Sequence, residues 1–126
     1  MWSYNPQIDP PAPVLDVVIR HPHILEQFRL VPAKLDTGAD LSAIPQSIAD
    51  ELGLLPVQTI TAEGFDGTRT TLDTYAVTLE IAKARFRYIE VILIPEEHAL
   101  VGRDILNHFY ARLNGPTLTF DLRLSA

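Results

Sequence analysis

Residues 33–42 read Ala-Lys-Leu-Asp-Thr-Gly-Ala-Asp-Leu-Ser, a stretch unlike anything else in the 126-residue chain. An apolar lead-in runs straight into Asp36-Thr37-Gly38-Ala39 and leaves through Asp40. Taken alone, an Asp-Thr-Gly triplet fits a plain β-turn, in which Asp accepts backbone N–H groups and Gly supplies a positive φ. With the apolar strand before it and the alanine after it, chance becomes a poorer account. Composition alone yields the longer pattern in roughly one chain of this size in a hundred.

Outward from this stretch the chain breaks into short β-rich runs separated by turn residues. Strands are expected over residues 14–20, 27–35, 58–62, 70–81, 86–94 and 117–124, with Pro32 confining the second to an edge or a bulge. Glu63-Gly-Phe-Asp-Gly67 reads as a glycine-punctuated hairpin tip, and a tight turn is expected near Lys83-Ala84. Along residues 70–81, Thr71, Asp73, Tyr75, Val77, Leu79 and Ile81 share one face, and the opposite face is smaller and more polar. Helices are expected over 45–52, with Pro45 at the first helical position and Gly53 as C-cap, and over 103–110. The pattern is that of a mostly-β barrel or sandwich carrying two short helices.

Composition bounds the rest. A hydrophobic fraction of 47% in 126 residues supports one globular domain. Four of the ten prolines fall in residues 1–13, which read as an extended N-terminal arm before a domain over 14–126. With no cysteine, disulfides, thiolate metal sites and cysteine nucleophiles are excluded. A formal charge of −6 and no run of three basic residues argue against a nucleic-acid partner. The first residues lack a basic region followed by an apolar one, and the longest apolar run, residues 91–95, is too short to span a bilayer. A soluble, cytoplasmic protein with no membrane partner is the expectation. His21, His23, His98 and His108 show no ligand spacing, so neither metal nor cofactor is expected. Ser42 and Ser47 lack the Gly-x-Ser-x-Gly elbow of serine hydrolases.

The chain resembles the retropepsin-like aspartic proteases. Leu35-Asp-Thr-Gly-Ala-Asp40 is similar to the catalytic loop of that family, and Glu63, Gly64, Phe65, Asp66 and Gly67 lie where it has a flap hairpin. Leu100-Val-Gly-Arg-Asp-Ile-Leu106 is similar to its second signature, and Thr117-Leu-Thr-Phe120 to the terminal strand its members pair across a dimer. The resemblance implies an acid-protease β-barrel, closed or partly open, with a flap and one or two short helices. It also implies roles: Asp36 as catalytic carboxylate, Thr37, Gly38 and Ala39 as loop support, and Asp40 with Arg103 as a partly buried, bidentate structural ion pair. The flap residues would close over a peptide and exclude water.

This chemistry needs two carboxyl groups and one water. Like charges a few ångströms apart cannot both ionise, so the pair shares a proton. The ionised partner takes a proton from water while the protonated one stabilises the developing oxyanion. Ala39 stands where related enzymes often place a hydroxyl residue; losing that hydrogen bond implies an optimum in mildly acidic rather than strongly acidic conditions. A chain with one Asp-Thr-Gly holds half of such a site, so a two-fold symmetric homodimer is expected, with the 36–39 loop and the terminal strand at the interface. The alternative is a catalytically silent peptide-binding or dimerisation module on the same fold.

Overall fold

The computed structural model describes residues 1–126. In chain order its elements are β1 (Trp2–Ser3), β2 (Val14–Arg20), β3 (Phe28–Leu35), β4 (Ala43–Pro45), α1 (Gln46–Leu52) and β5 (Pro56–Glu63). They continue as β6 (Arg69–Ile81), β7 (Ala84–Ile94), β8 (Ala99–Val101), α2 (Arg103–Leu106), β9 (Tyr110–Asn114) and β10 (Thr119–Arg123). The architecture is mostly β, as expected, with two short helices.

Six strands close a barrel in the order β2-β3-β8-β4-β7-β6, sealed where Val18, Ile19 and Arg20 of β2 pair with Glu80, Leu79 and Thr78 of β6. The interior follows from strand periodicity. Leu15, Val17 and Ile19 alternate inward from β2, as do Val31 and Ala33 from β3. At the seam Glu80 accepts from Arg20 at 2.5 Å and from Arg85 at 3.0 Å, and Arg20 also lies over the Phe28 ring. The Arg20 guanidinium, seconded by Arg85, holds the Glu80 carboxyl below its ordinary range.

Along the second half of β6 the smaller, more polar face is buried along with the other. Thr74, Ala76, Val77, Thr78 and Leu79 are all buried, because this half of the strand is flanked by neighbours on both edges and covered on both faces. The other half, Arg69–Asp73, runs out with β5 as a hairpin overhanging the barrel and is largely exposed. The turn near Lys83 is a two-residue connection with Ala82 and Lys83 both at positive φ, which matches the twist of a hairpin.

Pro45 is the N-cap of α1 with extended ψ rather than its first helical residue. Gly53 caps the far end in the left-handed region, its N–H reaching Ala49 and Asp50 carbonyls, as expected. Helix α2 ends at Leu106, four residues short of the expected end. His108 and Phe109 donate to carbonyls three residues back, the tightening that closes a helix, and Tyr110 then enters β9. Strand β9 pairs with β10, and β1 completes a second sheet ordered β1-β10-β9. The proline-rich residues 1–13 lie against the domain. Trp2 stacks on Phe120 at 5.5 Å, Tyr4 meets the same ring edge-on at 5.9 Å, and Asn5 bridges to Ala12. No helix is long and apolar enough to cross a membrane.

Candidate active site

The Asp36 loop joins the end of β3 to β4. Leu35 and Val101 lie side by side in the parallel β3–β8 pair, and the Asp36 N–H donates to the Val101 carbonyl at 2.9 Å. The chain then turns, with Ala39 N–H donating to the Asp36 carbonyl at 3.2 Å. This brings Gly38 N–H to 2.9 Å from Asp36 Oδ1. A Cβ at Gly38 would stand 3.2 Å from that oxygen, so glycine lets the amide approach without crowding the carboxylate. Asp36 is half-buried while Thr37 and Gly38 are exposed, so the loop presents its carboxylate at an open surface.

The segment from Val101 to Asp104 clamps this loop from behind. Arg103 N–H donates to the Ala39 carbonyl at 2.9 Å, and Arg103 Nη1 donates to the Thr37 carbonyl at 2.6 Å. Gly102 is packed so closely that a Cβ would lie 2.8 Å from the Ala39 carbonyl oxygen and 3.0 Å from Leu41 backbone atoms. Ser42, fully buried, donates from N and Oγ to the two Asp104 carboxylate oxygens at 3.0 and 2.8 Å, while its Oγ accepts Gly102 N–H at 3.0 Å.

The flap-like hairpin pairs Glu63 with Arg69 across β5 and β6. At its tip Gly64 N–H donates to Thr68 O at 2.7 Å, and Gly67 takes a positive φ. Asp66 Oδ1 accepts Thr68 N–H at 3.0 Å, and the hydrogen bonds from Thr68 hold its carboxyl below the ordinary range. Phe65 is fully exposed.

Comparison with known proteins decides the family. Residues 28–108, well over half of the chain, match the family described as "gag-polyprotein putative aspartyl protease". The chain belongs to this family. No curated protein sequence matches closely enough to count as a relative. Among solved structures, the retropepsin-like aspartic protease of Rickettsia conorii aligns over 90% of this chain and 82% of its own, with TM-score 0.60 and 16% identity. The simian foamy virus protease aligns over 75% and 92%, with TM-score 0.55 and 19% identity. The EIAV protease, solved with an inhibitor, aligns over 76% and 86%, with TM-score 0.54 and 20% identity. Identities this low speak to the fold, which is retropepsin-like.

On this retropepsin-like fold the two sequence signatures come together: the loop from Asp36 to Asp40 lies against Gly102 and Arg103. The tip from Glu63 to Gly67 belongs to the overhanging hairpin and makes no hydrogen bond with that loop. The Asp40–Arg103 ion pair forms through Nη2 and one carboxylate oxygen, not as the partly buried, bidentate contact expected. The guanidinium divides its fork between Asp40 and the Thr37 carbonyl, and both side chains are open to solvent, at 44% for Arg103 and 84% for Asp40. An exposed pair of this kind contributes little on its own, and Arg103 also holds the loop through its N–H on the Ala39 carbonyl and its Nη1 on the Thr37 carbonyl.

Sequence reasoning missed two partners. Asp104 was visible inside the second signature, and Ser42 four residues beyond Gly38, yet nothing in their spacing announces a buried contact 62 residues apart in sequence. Glu90 is the other: Oε1 accepts Thr74 Oγ1 at 2.6 Å and Gln58 Nε2 at 2.5 Å, tying β5, β6 and β7 together at the base of the hairpin. These two donors, Thr74 foremost, hold the Glu90 carboxyl below its ordinary range. His21 Nδ1 accepts the His23 and Ile24 N–H groups, and His108 packs on Phe86.

Proposed function

We propose that the chain is an aspartic endopeptidase whose active site forms when two copies associate as a symmetric homodimer, each supplying its Asp36. The observation that carries this reading is the Asp36 carboxylate itself. It is held by Gly38 N–H on a loop clamped by Gly102, Arg103 and Asp104, is presented at an open surface, and comes from the single Asp-Thr-Gly of the chain. Two such loops facing across a two-fold axis place two carboxyls within reach of one water.

The pair carries one proton between its members. The ionised Asp36 accepts a proton from the water as its oxygen attacks the peptide carbonyl carbon. The protonated Asp36 hydrogen-bonds the carbonyl oxygen, where charge develops. Collapse of the tetrahedral species expels the amine, which takes the proton that the first Asp36 accepted from water, and releases the new carboxyl end while the pair returns to its one-proton state. No covalent enzyme intermediate is involved. Thr37, Gly38 and Ala39 keep the loop in shape, and Asp40 with Arg103 braces it. Glu63, Gly64, Phe65, Asp66 and Gly67 close over the substrate and exclude water. The catalytic unit is residues 14–126, with 1–13 packed on it as an arm.

The test is digestion of a peptide library by the wild-type chain and by Asp36→Asn. Cleavage that is lost in Asp36→Asn and blocked by a transition-state-analogue inhibitor supports the reading. A well-formed dimer that cleaves nothing points instead to a silent peptide-binding module.

A further inference from the structure

We infer that Lys34 sets the specificity of the site, receiving an acidic side chain, Asp or Glu, from a substrate residue at the scissile bond. The inference rests on the endopeptidase reading above and names the class of substrate for that same site.

Strand alternation puts Lys34 beside the Asp36 carboxylate. Val31 and Ala33 of β3 point into the barrel, so Lys34 points out of it. The Asp36 N–H still donates to the Val101 carbonyl, so the alternation carries one residue past the end of β3. Asp36 therefore shares the outer face with Lys34. Two residues along a strand span about 7 Å, so a peptide lying over Asp36 passes within reach of the lysine ammonium.

Strand register gives the surroundings of the lysine. Val14 of β2 and Leu100 of β8 stand directly opposite Lys34, and Ala43 of β4 and Ile92 of β7 continue the row. Directly paired residues share a face, so a strip crosses the outside of the barrel next to Asp36. It is apolar except for Lys34. Val14, Lys34, Leu100 and Ile92 are all half-buried, so the strip remains open to a ligand.

Lys34 has no counter-ion within the chain. Arg20, Arg29, Arg85, Arg103 and Arg123 are each paired with an acidic group. Lys34 takes part in none of these ion pairs, and its ammonium lies beyond ion-pairing distance of Asp36. The other unpaired cations, Arg69, Lys83, Arg87 and Arg112, are exposed to water. Lys34 alone is drawn into an apolar setting.

An ammonium placed there has given up hydration without gaining a partner. A carboxylate on the substrate supplies that partner through a charge-assisted hydrogen bond. An apolar substrate side chain would instead strip more water from the ammonium and leave it unpaired, so the site discriminates against it. The lysine stem packs along Val14 and Leu100 while its charge reaches toward the peptide. In the symmetric homodimer each Asp36 brings its own Lys34, so an acidic residue on either side of the scissile bond is met in the same way.

The test digests a peptide library with the full-length chain, then remakes a cleaved peptide with Glu, Gln or Leu at each residue flanking the scissile bond. Wild type is expected to favour Glu over Gln and Leu by about ten- to a hundredfold in kcat/KM, the usual worth of a hydrogen bond to a charged group. Lys34→Met is expected to lose that preference and cleave the Leu peptide best, while Lys34→Arg retains it. Lys34→Gln takes the place of Lys34→Met if the latter does not fold. The readout is a ratio within each variant, which a general loss of activity does not move. A Glu-to-Leu ratio that is the same in wild type and Lys34→Met, even with a shifted pH profile, overturns the inference and leaves the endopeptidase reading intact. If no library peptide is cleaved, the endopeptidase reading fails, and capture of the library on immobilised chain decides the lysine. Enrichment of acidic peptides by wild type but not by Lys34→Met supports the site, and equal capture overturns it.

Discussion

Ser42 and Asp104 are joined by two hydrogen bonds, from N and Oγ of the buried serine to the two carboxylate oxygens at 3.0 and 2.8 Å. Ser42 Oγ in turn accepts the N–H of Gly102. The contact fastens the far end of the Asp36 loop to the start of α2. It gives the second family signature a physical purpose, which is to hold the first in place.

Ser42→Ala removes the hydroxyl from a fully buried position, leaving the Gly102 N–H without its acceptor and Asp104 Oδ1 with only the Ile105 N–H as donor. The expected cost is about 1–3 kcal/mol of stability, read by urea unfolding at fixed protein concentration, with peptidase activity falling as well. Unchanged stability would show that the contact does not hold the loop.

Gly102→Ala tests the close approach behind the loop. The added methyl would meet the Ala39 carbonyl oxygen at 2.8 Å, a backbone atom that moves only if the loop does. We expect a loss of about 1–3 kcal/mol and a large fall in kcat. Gly115→Ala, where a Cβ meets nothing within 4 Å, is the matched control and is expected to be nearly neutral. Equal effects at the two glycines would refute the clamp.

Glu80 and Glu90 make stability pH-dependent. Both carboxyls are held below their ordinary value of 4.5, Glu80 chiefly by Arg20 and Glu90 chiefly by Thr74. A carboxyl lowered in the folded state contributes stability that is present above the ordinary value and lost as pH falls through the folded one. Thermal stability is therefore expected to decline as pH drops from about 5 downward, and Glu80→Gln or Glu90→Gln to flatten that slope. A slope identical in wild type and both variants would contradict this.

Much of this was legible in the sequence, and the gaps have physical causes. The Asp36 loop, the Gly53 cap, the hairpin tip and most strands can be read because each depends on local chemistry: a turn glycine, a cap, an alternation. Strand β9 was not anticipated: the expected helix ends on Tyr110, the first residue of β9, and nothing local in Ala111, Arg112 and Leu113 announces a strand that only pairing with β10 creates. Ser42–Asp104 and the Glu90 cluster were invisible because both join residues distant in the chain. Trp2 falls in the expected extended arm because four prolines dominate residues 1–13, while its stacking on Phe120 depends on the fold.

The missing hydroxyl at Ala39 sets the expected pH–rate profile. Activity should peak in mildly acidic conditions and fall off on the strongly acid side. A profile still rising below about pH 3 would contradict that reading.

The central claim is that one active site uses two copies of Asp36, and subunit mixing tests it most directly. Wild type and Asp36→Asn are mixed in equal amounts, allowed to exchange, and assayed against wild type at the same total concentration. If a site needs both carboxylates, random pairing leaves about a quarter of the dimers active, and activity falls to about one quarter. Retention of about one half would mean that each chain works with its own Asp36 alone, and would contradict the account.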